Sequence, residues 1–314
     1  MVKKITAVLL SAVLLVGGFV GGFIVGSNDT KNYSAYEELY KGLDKMSDDD
    51  KLAYYQGMLK AESAPTQVRY VLDKIIEDSS INNDIKNNMF ALYLNHIQYY
   101  MSTYSDFIIM YESIMMNNRS EINYEKADAA NHINDPVLKS LITEIYNADM
   151  MIKMPPLLDN TGFPYVVVDY DTLESRYGDM YNSATKDYIK LKVMVQNGEL
   201  SASDGTYDMA KVENYIALTN DYIALYDKYP LISDIIYSYI LASKMYIGTF
   251  NVSGEFRVTD DAAASYAKFL EKYPETPVAS IIKELLKKYE NNEVISVETA
   301  QAWNNTLDGL LGQE

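Results

Sequence analysis

The 314-residue chain has no cysteine, two histidines and one tryptophan. Without cysteine it forms no disulfide, carries no thiol nucleophile and no Cys-ligated zinc or iron–sulfur cluster, and lacks the cysteine that a lipoprotein anchor requires. Two histidines exclude a three-histidine metal site within one chain. Five of the 15 glycines lie before residue 27, and no G-x-S-x-G, P-loop, G-x-G-x-x-G or H-E-x-x-H occurs. That scarcity speaks against loops whose backbone cradles phosphates and against the common hydrolase and metalloprotease signatures.

Acidic residues are absent from the N-terminal end. The first is Asp29, and Lys3 and Lys4 precede the 22 uncharged residues Ile5–Gly26. At about 1.5 Å rise per residue such a segment crosses a hydrocarbon core about 30 Å thick. Basic residues stay on the cytoplasmic side, so the remainder of the chain faces outward. Two readings stand. One is a retained single-pass anchor, which the length favours. The other is a signal peptide cut near Val25-Gly26-Ser27, which leaves the protein secreted. Gly17, Gly18, Gly21, Gly22 and Gly26 form overlapping G-x-x-x-G pairs, a pattern that lets two membrane helices approach closely and pair as a homodimer. A glycine-rich export signal with no pairing role has the same composition.

Beyond the anchor, 25 basic residues face 44 acidic ones, so that 25 − 44 = −19. This charge repels nucleic acid and anionic lipid heads. Tyrosine (29) far outnumbers phenylalanine (8). Either genome base composition or a tyrosine-lined recognition surface produces such a bias. Cysteine-free export reads as bacterial.

The patterning predicts a mainly α-helical protein: residues 1–4 cytoplasmic, 5–26 transmembrane, 27–32 a stalk, 33–156 an N-terminal helical region and 157–314 a C-terminal one. Ser47 caps a helix over Asp48–Ala61, and Pro65 opens another that ends near Asp78. In Asn83–Met116 the residues Met89, Leu92, Tyr93, His96, Ile97, Tyr100, Met101 and Tyr104 recur at three and four and mark one buried face. Phe107–Met116 is apolar on most sides, as expected of a central helix, with a bend near Ser102–Ser105. Asp135-Pro136 starts the next helix. "YVVVDY" (165–170) reads as an isolated strand, and the helix after it runs from Thr172 to Asn197-Gly198. Further helices span Tyr207–Tyr229, Ser233–Tyr246, the segment behind Thr259, Val278–Glu290 and Val297–Leu311. Residues 248–259 form a short hairpin or an extended loop.

"YIALYDKYP" (222–230) and "YAKFLEKYPETPVASIIKELLKKYE" (266–290) resemble tetratricopeptide-like repeats, in which a helix ends in Tyr-Pro and small residues open the next. The positions that carry the likeness are Tyr226, Tyr229 and Pro230, then Ala267, Phe269, Leu270, Tyr273, Pro274, Pro277 and Ala279. The 44 residues from Pro230 to Pro274 exceed the standard 34, and the Trp and Leu-Gly positions of the consensus are missing. The resemblance covers 207–292. It implies stacked helix pairs and a groove for a protein or peptide, with Tyr215, Tyr222, Tyr226 and Tyr229 as binding residues if their stripe is exposed, and as core if it is not.

"VVVDYDTLE" resembles the opening motif of haloacid-dehalogenase-like phosphatases, which implies Asp169 as nucleophile and Asp171 as acid–base. Thr172 follows Asp171 without the intervening residue of that motif, and the other strands of a parallel sheet are missing. A simpler reading makes Asp171 the N-cap of a helix from Thr172, with Glu174 in its first turn. Asp169, Asp171 and Glu174 are also an oxygen-rich set suited to calcium, without the glycine-centred loop of a calcium motif. His96 falls on the apolar stripe, as a hydrogen-bonded core histidine does, and His132 lies near a helix end. No catalytic residue and no cofactor is implied. The expectation is a membrane-anchored extracytoplasmic scaffold or adaptor that binds another envelope protein. The alternatives are a carboxylate-dependent enzyme acting on envelope glycan, or a secreted ligand- or peptide-binding protein.

Overall fold

The computed structural model describes residues 41–155, 162–202, 206–250 and 252–312. The expected anchor at 5–26, its glycines and the stalk lie outside the described residues. Among the described residues no helix is long and apolar enough to cross a membrane. The protein is mainly helical, with two compact units, Met1–Asn182 and Ser183–Glu314.

The first unit opens with α1 (Asp48–Lys60), where Ser47 accepts a hydrogen bond from the Asp50 N–H and three aspartates occupy the first turn. Helix α2 (Pro65–Glu77) follows, its proline at the position where a missing N–H costs nothing. Helix α3 (Asn83–Met110) is the longest described, and α4 (Glu112–Asn118) continues it past a break at Tyr111. Helix α5 (Pro136–Asn147) is capped by Asp135, whose carboxylate takes the N–H groups of Val137 and Leu138, both at 2.9 Å. The core joins Val68, Val71, Leu72 and Ile75 of α2 to Phe90, Tyr93, Leu94, Ile97, Tyr104 and Ile108 of α3 and to Leu138, Leu141, Ile142 and Ile145 of α5. Each of these side chains contributes about 1.5–3 kcal/mol on burial.

The "YVVV" strand has a partner. β1 (Met150–Lys153) pairs antiparallel with β2 (Tyr165–Val168), Met150 opposite Val168. β1 escaped sequence reading because Met and Lys are weak strand signals and Ala148-Asp149 looks like a helix end. β2 packs on α3, and the Val166 N–H donates to Ser105 Oγ at 2.9 Å. Helix α6 (Tyr170–Tyr177) starts two residues before the expected Thr172, and the residue that caps it is Asp169, not Asp171. Its carboxylate accepts from the Thr172 N–H (3.0 Å) and the Thr172 hydroxyl (2.8 Å), while Asp171 points to solvent. Phe90 meets Tyr177 edge-on and lies 4.8 Å from the Tyr181 ring. These contacts tie 165–182 into the first unit, and the division between the two compact units falls at Asn182/Ser183.

The second unit is a run of helices: α7 (Ser183–Gln196), α8 (Met209–Leu225), α9 (Ile232–Tyr246), α10 (Asp260–Lys272), α11 (Pro277–Glu290) and α12 (Val297–Asp308). Gly198, at φ 67°, ends α7 in the left-handed conformation, and the Glu199 N–H returns to the Met194 carbonyl. Helix α8 packs on α9, and α10 on α11. Residues 248–259 do not pair with themselves: Phe256 exchanges both backbone hydrogen bonds with Ile295, just ahead of α12. Trp303 is buried and donates to Glu284 at 2.7 Å.

The reassigned cap separates two variants. Asp169→Ala is expected to cost about 1–2 kcal/mol in urea denaturation, and Asp171→Ala less than about 0.5 kcal/mol. Equal effects would return the cap to Asp171.

Candidate functional site

Two places stand apart from ordinary core and surface. Both lie in the first unit. The first is a buried charge cluster at the junction of α5 and β1. Asp149 follows the last turn of α5 and takes φ 55°, a conformation that glycine adopts most easily. Its side chain is wholly buried, with Arg176 Nη1 of α6 3.1 Å and Arg69 Nη1 of α2 3.8 Å from Oδ1. Tyr93 of α3 donates both to Asp149 Oδ2 (3.0 Å) and to the Ala148 carbonyl (2.9 Å). Arg69 also donates to the Asn147 carbonyl, one of the orphan acceptors at the end of α5, and pairs with Asp73 at 3.5 Å. The Tyr177 hydroxyl donates to Asp73, and the Asp169 N–H donates to the Asp149 carbonyl. Burial pushes the Asp149 carboxyl up to about 6, against the opposing pull of Arg69 and Arg176. Burial also raises the Tyr93 and Tyr177 phenols. The Asp149 carboxylate at the centre of this cluster is closed off from solvent, and the cluster is structural glue. It fastens α2, α3, α5 and α6 together.

Glu144 sits on α5, one helical stretch away. Both of its carboxylate oxygens accept from the Thr66 hydroxyl at 2.9 Å, and burial raises its pKa. A carboxylate pair acting on glycan needs two acids facing an open cleft. Asp149 is closed off, and Glu144 is held by Thr66.

The second place is the outward face of α3 and α4. Leu92, Tyr99, Thr103, Phe107, Met110 and Ile114 recur at three, four or seven residues, which puts them on one side of the helix. Tyr99 is 63% exposed and Met110 77%, with Phe107 and Ile114 near 40% (39% and 42%). The expectation of a central helix over Phe107–Met116 is therefore overturned: Ile108 and Met115 are buried, and their neighbours are not. The bend falls at Tyr111 instead of Ser102–Ser105. At its N-terminal end the stripe runs into an open groove of about 700 Å³ between α1 and α3. Gln56, Leu59 and Lys60 of α1 form one wall, Leu92, Asn95, His96 and Tyr99 of α3 the other, and Glu62 closes one end. His96 is nearly buried there. Its Nε2–H donates to the Ser63 carbonyl at 2.8 Å, and burial holds its pKa below the ordinary histidine value. That bond to backbone marks a structural histidine.

The other residues singled out from sequence fall elsewhere. Asp169 is occupied as a cap, Asp171 and Glu174 are exposed, and no group of three His, Asp or Glu placed to hold a metal occurs among the described residues. Tyr215, Tyr222 and Tyr229 are buried in the second unit, and Tyr226 is half-buried with its hydroxyl on Asp187 at 2.9 Å. Tyr222 lies between Tyr226 and Tyr229, tilted to the first and edge-on to the second, with ring centroids 4.9 and 6.2 Å away. Sequence reasoning passed over the exposed stripe because a helix apolar all round is ordinarily central. The signal it had was the absence of any Lys or Arg from 87 to 118. No protein family, curated protein or solved structure matches this chain. The tetratricopeptide-like likeness of 207–292 is one of pattern.

The charge cluster has a pH signature. An unfolded aspartate titrates near 3.9, and Asp149 in the fold titrates near about 6. The folded state therefore holds the proton more tightly. The stability owed to this group is full below about pH 4 and is lost as pH rises through about 6. Asp149→Asn is expected to flatten the pH–stability curve across that window, measured by urea midpoints from pH 3.5 to 7. An unchanged slope would remove Asp149 as its source.

Proposed function

We propose that this chain is a membrane-anchored, extracytoplasmic helical scaffold that holds another protein against the outward face of α3 and α4. The observation that carries the reading is the stripe Tyr99–Phe107–Met110–Ile114. Large apolar side chains are exposed there at regular helical spacing, and an exposed apolar face of this kind is what protein-binding surfaces present. Residues 5–26 supply the anchor, and the glycine pairs within them bring two chains together in the bilayer. The second unit stacks its helix pairs in the tetratricopeptide-like manner and extends the scaffold. The acidic exterior keeps the exported part soluble and away from anionic lipid.

The test uses the full-length tagged chain recovered from its host's membranes after mild crosslinking. Phe107→Glu and Met110→Glu are expected to abolish recovery of a partner that co-purifies with the unaltered chain. Tyr237→Glu, at an exposed position of the second unit, leaves recovery intact. Equal recovery from all four, or turnover of wall glycan by the purified chain with no partner lost, would overturn the proposal.

A further inference from the structure

Resting on the scaffold reading, we infer that the partner offers an amphipathic α-helix whose polar edge is basic. The shape comes first. From Leu92 to Met110 the stripe spans 18 residue steps of α3, about 27 Å along its axis, and Ile114 continues it on α4. Its ridge of residues three and four apart is the relief that a second helix fits, ridge into groove. An extended peptide that adds to a sheet needs unpaired backbone N–H and C=O groups to read. Helix α3 spends its own internally, so side-chain relief is all it presents. At the N-terminal end, Leu59 of α1 and Leu92 of α3 line the open groove of about 700 Å³ into which the ridge runs.

Charge then selects among helices. No Lys or Arg occurs between Lys86 and Arg119, and the acids in that interval are Asp106 and Glu112. Asp106 is exposed and one residue from Phe107, on the border of the stripe. At the groove, Lys60 and Glu62 offset each other. A second copy of the chain would set Asp106 against an equally acidic face, with a net charge of −17 on each molecule. An anionic membrane surface meets the same repulsion. A helix with an aliphatic face bordered by Lys or Arg meets neither, and it gains steering as well as pairing at the rim.

The experiment places the photo-crosslinking amino acid p-benzoylphenylalanine at Phe107 of the full-length chain in its host. The same substitution at Tyr237 is the control, and the crosslinked peptide is mapped by mass spectrometry. The expected product joins position 107, and not 237, to a helical segment of another protein with Lys or Arg bordering its apolar face. Asp106→Lys, combined with the crosslinker, is expected to cut that product about threefold or more, and Asp106→Asn by less. A product mapped to an acidic or extended segment, to a second copy or to lipid overturns the inference, as does a yield indifferent to Asp106→Lys. The first of these outcomes leaves the scaffold reading standing. No product at 107 above the Tyr237 control overturns both.

Discussion

The first unit depends on one buried carboxylate. Asp149 sits where a helix must turn into a strand, in a backbone conformation that costs a non-glycine residue of order 1 kcal/mol or more. A glycine there would relieve the backbone and remove the charge that Arg69 and Arg176 share. The acid is retained at the strained position because α2, α3 and α6 converge on its side chain while its carbonyl also fixes the cap of α6 through the Asp169 N–H. Breaking such a cluster from one side strands a buried charge, which is the costly case for an ion pair. The outward face of α3 is held in place by the same contacts, since Tyr93 ties that helix into the cluster.

The abundance of tyrosine has a structural reason besides the two weighed from sequence. Buried rings supply apolar area, and their hydroxyls reach carbonyls that helix ends leave without donors. Tyr93 does this at Ala148, Tyr100 at Glu62, and Tyr266 at Tyr246, the last residue of α9. Tyr239 works in the other sense: its hydroxyl accepts the Val278 N–H in the first turn of α11. Phenylalanine would fill each of these volumes and leave a buried polar group unsatisfied.

What could be read from the sequence follows the range of the forces involved. Helix starts at Ser47, Asp135 and Thr259 are local bonds between a side chain and backbone two or three residues on, those at Pro65 and Pro277 follow from the proline's own fixed φ and missing N–H, and sequence patterning placed all five. The failures were matters of tertiary contact. β1 forms because β2 offers it a ladder. Asp169 outcompetes Asp171 as the cap because its own N–H is already fixed by Asp149. Phe107–Met116 is apolar on most sides in sequence, and whether a neighbour covers it cannot be decided by counting along one helix. The hub was equally hidden: Arg69, Tyr93, Asp149 and Arg176 have no common spacing, and no single one of them is unusual. The tyrosines of 215–229 illustrate the reverse case, where spacing alone left core and binding surface open and burial decided.

The reach of the Asp149 cluster along the chain bears on time as well as stability. Tyr93 meets Ala148 across 55 residues, Thr66 meets Glu144 across 78, and Tyr177 meets Asp73 across 104. In the second unit the principal pairs are helices that follow one another in the chain, α8 with α9 and α10 with α11. Contacts between distant residues slow folding, because the loop between them must be closed before they give anything back. A chain delivered N-terminus first therefore has its early helices waiting, with Asp73 short of its tyrosine partner, until Tyr177 arrives. The later helices meet their partners as they emerge. Between the emergence of α3 and that of Tyr177, the apolar face stands on a unit whose longest closure is still open.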